Sequence, residues 1–161
     1  MESIITIATV LTMYFNAAND VNAPYLYNSD FEDGVIHKIE VYEKKADNQM
    51  CAKMEYRYAY DEQNRLTTRE VVRWDSQKLA WVNDVRHTYK YYKNGYNVEI
   101  SKWNAAKQAY DLPSEVTLYR EVASMTSVKT YKMNAAKNDM YLVNSLLCLE
   151  PFEIFSDRLF A

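Results

Sequence analysis

A chain of 161 residues with 19 basic and 22 acidic side chains, net charge -3, has room for one domain around one core and presents no basic block or stripe for nucleic acid. Apolar residues make up 48%, but 15 residues are Tyr, and a mean hydropathy of -0.47 describes a globular chain whose rings keep a polar end in water. With only two glycines the chain holds neither a P-loop nor a GxGxxG turn, which excludes the phosphate cradles of nucleotide-binding folds.

Residues Ile4 to Phe15 (IITIATVLTMYF) form an uncharged run of the length of a signal-peptide core, shorter than the ~20 residues that span a bilayer. Small residues follow at Ala17 and Ala18, so a signal peptide over residues 1–18, cleaved near Ala17 or Ala18, and one β-repeat domain over 19–161 are expected. The missing basic charge departs from that pattern, since Glu2 has the wrong sign. The competing reading is a buried first β-strand, because Ile, Val and Thr form strands well. No Cys stands near the cleavage site to accept a lipid anchor, so the expected product is periplasmic, displayed on the cell surface or secreted, with no membrane span in the mature chain.

From Val35 onward, runs of spacing-two apolar residues alternate with polar turns. Val35 to Glu43, Met50 to Tyr60 and Arg65 to Trp74 read as strands, separated by Lys44 to Gln49 and by Asp61 to Asn64. Sliding the chain against itself by about 29 to 30 residues then exposes a repeat. Glu70, Val71, Arg73, Trp74, Asp75, Lys78, Ala80 and Trp81 align with Glu99, Ile100, Lys102, Trp103, Asn104, Lys107, Ala109 and Tyr110, and KMNAAK at Lys132 to Lys137 nearly duplicates KWNAAK at Lys102 to Lys107. Each copy reads as a β-hairpin whose polar turn opens on Asp or Asn, and Asn94-Gly95 reads as a type I′ turn between copies. The fold class expected is all-β, an antiparallel meander of eight or so strands forming a thin, twisted, single-layer sheet. A β-sandwich or open barrel is the alternative, although it would need a cleaner apolar face. Met140 to Leu149 is apolar on both sides and reads as a central or covered strand, and the tail Pro151 to Ala161 as cover for one sheet end. Cys51 and Cys148 fall on runs of different character, one beside Lys53, Glu55 and Arg57 and the other beside Leu142 and Leu146, so pairing is left open.

The string from Tyr56 to Asn104 resembles the tyrosine-rich hairpin repeats of uncharacterised exported proteins from Bacteroides-like bacteria, and more distantly the YD repeats of Rhs-type shells. The matching residues are Tyr58, Tyr60, Asp61, Asn64 and Leu66 for the Tyr-x-Tyr-Asp turn, with Trp74, Asp75, Trp81, Tyr89 and Tyr91 after it. Lys93 and Met133 depart from the pattern, and too few copies exist to enclose a cargo. The resemblance implies a β-meander in an exported protein and supplies no catalytic residue.

His37 and His87 stand in no arrangement with a nucleophile or metal-spaced carboxylates, and each reads as an ordinary strand residue. Glu70 and Glu99, at equivalent repeat positions, are the best carboxylate pair for glycosidase-type chemistry, but a solvated ladder with Arg69, Arg73 and Lys102 is the simpler expectation. The aromatic ladder of Trp74, Trp81, Tyr89, Tyr91, Trp103 and Tyr110 reads first as cross-strand staples and second as a ligand-binding row for sugar rings or a protein partner. The composite expectation is an exported, non-enzymatic binding or surface-interaction module, with no cofactor and no metal, and a glycan or protein as ligand. The alternative is a structural envelope component that self-associates through a sheet edge.

Overall fold

The computed structural model describes residues 5–19, 23–45, 49–123, 125–134, 136 and 138–149. The tail from Pro151, expected to cover a sheet end, lies outside them. One helix, α1 (Ile7–Ala18), precedes ten strands: β1 (Tyr25–Glu32), β2 (Val35–Lys44), β3 (Met50–Tyr60), β4 (Leu66–Asp75), β5 (Ala80–Tyr92), β6 (Gly95–Asn104), β7 (Ala109–Tyr110), β8 (Glu115–Val122), β9 (Met125–Asn134) and β10 (Asp139–Leu149). They make one antiparallel sheet in the order β1-β2-β3-β4-β5-β6-β8-β9-β10, with β7 a two-residue return against the end of β6. The meander is therefore as expected in kind but longer, and it is neither a sandwich nor a barrel, since β1 and β10 do not pair.

The uncharged N-terminal run is a helix rather than a first strand. Ile7, Val10, Leu11 and Tyr14 recur at helical spacing, and Val10 is 3% exposed against Ile36, Ile39, Val41 and Leu66 of β2 and β4. Full burial of that one Val stabilises the contact by about 1.5–3 kcal/mol. The helix entry is also tied by backbone bonds: Leu66 N–H donates to Ile5 O at 2.8 Å, and Ile7 N–H to Asn64 O at 3.2 Å.

The repeat is a repeat of turn chemistry. Asp75 Oδ1 accepts from the backbone N–H of Gln77 and Lys78, and Asn104 Oδ1 from those of Ala106 and Lys107, before left-handed residues at Leu79 (φ 49°) and Gln108 (φ 51°) restart the chain. The third copy keeps the pattern where it is described, with Asn134 Oδ1 accepting from Ala136 N–H and Asn138 at φ 50°. The turn between β5 and β6 differs from the type I′ expected, because of its two supposed central residues only Gly95, at φ 139°, is left-handed. Tyr92 pairs with Gly95, so Lys93 and Asn94 form the loop. Asp33 (φ 49°) and Gly34 (φ 83°), between β1 and β2, carry the pair of positive angles that a type I′ turn requires.

Strand register sorts the residues onto two faces, because direct cross-strand partners share a face. One face lies under α1 and carries Ile39, Val41, Tyr56, Tyr58 and Tyr60. The opposite face has no second layer among the described residues. Bulges at Val41/Tyr42, Val71/Val72 and Leu142/Asn144 shift the register between neighbours. β10 is an edge, contrary to the covered position expected of an apolar strand: Leu142, Leu146 and Leu147 are 51%, 52% and 59% exposed. Cys51 on β3 and Cys148 on β10 are free thiols with five strands between them in the sheet order.

Candidate functional site

The open face collects four of the six rings of the aromatic ladder. Trp74 on β4 stands directly opposite Trp81 on β5, edge to face at 5.3 Å between ring centroids, and Trp103 on β6 stands likewise opposite Tyr110 on β7 at 5.0 Å. All four are half-buried. Each pair brackets one of the two complete Asx turns, so the repeat delivers the same ring pair twice. Tyr89 and Tyr91 are not part of this row. They pair with Val98 and Tyr96 on the face under α1, where the Tyr91 hydroxyl bonds the carbonyls of Ile5 (3.1 Å) and Leu66 (2.8 Å). Burial raises the pKa of both phenols above its ordinary value.

Beside the rings runs a charged row that sequence reasoning paired incorrectly. Arg57, Glu70 and Arg86 are direct partners across β3, β4 and β5. Arg86 donates to Glu70 Oε1 through Nε (2.9 Å) and Nη2 (2.6 Å) and lays its guanidinium 3.9 Å from the Tyr110 ring centroid. Arg57 Nε donates to Glu55 Oε1 at 2.5 Å, and Glu55 is 4% exposed. Glu99 pairs with Lys90 at 2.7 Å. Arg69, Arg73 and Lys102, the expected partners of Glu70 and Glu99, are their sequence neighbours or bonded elsewhere: Arg73 pairs with Asp84, and Arg69 contacts His87 on the other face. Alternation places next-door residues on opposite faces, so the partners had to come from across the ladder. Both carboxylates are thus engaged by cations. An open cavity of about 380 Å³ lies between Arg57, Thr68, Glu70 and Arg86. The Tyr110 hydroxyl is buried without a hydrogen-bond partner in this row.

His37 rests edge-on against Tyr60 at 6.3 Å, as a strand residue does. His87 is held neutral: burial first, and the Arg69 charge second, push its pKa down to about 4. Among the described residues no three His, Cys, Asp or Glu side chains gather as a metal site requires, and no helix is long and apolar enough to cross a membrane.

No curated protein matches the chain. Among solved structures, a protein of unknown function from Bacteroides fragilis is similar, with 25% identity over 81% of this chain and 95% of its own, at a TM-score of 0.68. A DUF3836 family protein from Bacteroides vulgatus is 19% identical over 78% of this chain and 98% of its own, at a TM-score of 0.41. The match to a family model spans residues 1–121, taking in α1, β1 to β7 and nearly all of β8 while leaving out β9 and the apolar edge β10, and the chain belongs to the family of unknown function DUF3836.

Proposed function

We propose that this protein is an exported, non-enzymatic binding module that takes glycan on the open face of its sheet. The observation that carries the reading is the juxtaposition on one uncovered face of two repeat-equivalent ring pairs, Trp74–Trp81 and Trp103–Tyr110, with the Arg57, Glu70 and Arg86 row. Rings supply flat apolar surface for a pyranose, and a carboxylate flanked by guanidinium groups supplies acceptors and donors for its hydroxyls. Glu70 bonded to Arg86 and Glu99 bonded to Lys90 support binding over acid-base chemistry, since neither carboxylate stands free as a proton donor. Titrating intrinsic Trp fluorescence with host and dietary polysaccharides tests the reading. A saturable response that disappears in Trp103→Ala or Trp81→Ala supports it, and a flat response across the panel sinks it.

Export rests on the uncharged run and the small residues at Ala17 and Ala18. N-terminal sequencing of the protein recovered outside the cytoplasm should begin just after one of those alanines. Recovery of the intact chain in the cytoplasm alone would end that part of the reading.

A structural envelope component is the second reading, favoured by one observation. Among the described residues β10 has no strand beyond it, and it bears exposed Tyr141, Leu142, Leu146 and Leu147, the kind of edge that assembles strand to strand.

A further inference from the structure

Beneath α1, on the face away from the Trp pairs, Arg69 stands without a carboxylate partner among the described residues. Arg69 on β4 and His87 on β5 are direct cross-strand partners, and Arg69 Nη2 lies 3.3 Å from His87 Nε2. Arg69 can only donate there, so His87 Nε2 accepts and the ring proton sits on Nδ1. Arg69 Nε and His87 Nδ1 are both buried and without a hydrogen-bond partner. No carboxylate of the described residues makes an ion pair with Arg69, whose guanidinium carbon lies 5.7 Å from the Tyr56 ring centroid. Glu115, which acts on His87 at longer range, is paired with Lys132. Arg69 as a whole is half-buried, and a guanidinium with no carboxylate beside it is a ready partner for an anion.

The space for that anion exists. Arg69 lines a cavity of about 200 Å³ walled by Tyr27, Tyr56 and Tyr58 of the sheet and roofed by Tyr14 and Ala17 of α1. This volume falls just below the roughly 300–1,000 Å³ of ordinary ligand pockets, which limits an occupant to one ring or a short chain. We propose that the cavity binds a small organic acid with an apolar or aromatic body, its carboxylate pairing with the Arg69 guanidinium while the body packs among Tyr27, Tyr56 and Tyr58. His87 is a positioning residue that holds the guanidinium from its other end. The site uses none of the residues of the glycan reading, but its roof is α1, so it belongs to the chain that keeps residues 1–18 and is lost where the export cleavage proposed above removes them.

The test is calorimetric titration of the full-length chain, its N-terminus checked by mass, with benzoate and with benzyl alcohol as the uncharged control. Saturable benzoate binding, at least tenfold tighter than that of the alcohol and weakened at least tenfold by Arg69→Gln, is the expected result. Ala17→Trp, which fills the cavity from the helix side while keeping Arg69, should abolish benzoate binding while leaving the far-UV circular dichroism of the sheet unchanged, and it decides the matter if Arg69→Gln fails to fold. Absence of saturable binding, equal affinity for acid and alcohol, or full affinity in the folded Ala17→Trp chain would each overturn the proposal.

Discussion

Gly95 is the residue where backbone freedom and space are demanded together. Its φ of 139° lies where L side chains are strained, and a Cβ there would stand 2.0 Å from the carbonyl oxygen of Tyr119 on β8. Gly95→Ala should therefore lower the urea midpoint by the equivalent of at least about 2 kcal/mol, strain and collision adding up; an unchanged midpoint would show that β6 and β8 can separate locally at no cost. The Trp74–Trp81 pair makes a different kind of claim. A double-mutant cycle to Ala should return a coupling of about 0.5–1.5 kcal/mol for two rings edge to face. Zero coupling would mean that the rings stand beside each other without stapling the sheet, leaving ligand contact as their role.

At the scale of the element, β10 and α1 show why composition does not decide position. Both are uncharged over most of their length, yet one is an exposed edge and the other covers the sheet's face. Natural edges are usually guarded by Lys, Pro or bulges, and β10 has only the irregularity between Leu142 and Asn144. If the edge assembles, light scattering should report concentration-dependent association of the full chain that Leu146→Lys reduces. A chain that stays monomeric with or without that substitution would remove the structural-component reading. For α1, helical spacing of Ile7, Val10, Leu11 and Tyr14 was present in the sequence, but the other side of the run carries Thr, Met and Phe rather than charges. Without a polar face to contrast with the apolar one, period 3.6 and an export-signal core look alike.

Over the whole molecule, stability leans on buried phenols. Burial pushes the pKa of Tyr60 and Tyr96 from 10.0 up to about 12, and raises that of Tyr58 and Tyr91 as well. A phenol whose folded pKa is raised contributes stability that is intact below the unfolded value and is lost as pH climbs through the folded one. Thermal unfolding should accordingly be pH-independent from these groups up to pH 10 and fall between pH 10 and 12, in step with tyrosinate absorbance. A melting temperature flat to pH 12 would place the hydroxyls in water.

The strands from β2 to β6, the Asx turns at Asp75 and Asn104, and the repeat linking them were legible in the sequence, because period-two alternation and turn chemistry are properties of a few adjacent residues. What belongs beside what was not. The partners of Glu70 and Glu99, the division of the aromatic ladder between two faces, and the Arg69–His87 contact depend on pairing register, and a bulge such as that at Val71/Val72 changes it by one residue. A one-residue slip sends every side chain beyond it to the other face, which local pattern alone cannot detect. So the sequence by itself determined the hairpins and their turns, through short-range backbone preferences, while only the tertiary structure decided which face each ring and charge occupies, that α1 lies on one face, and that β10 ends the sheet, because those outcomes rest on long-range pairing and burial.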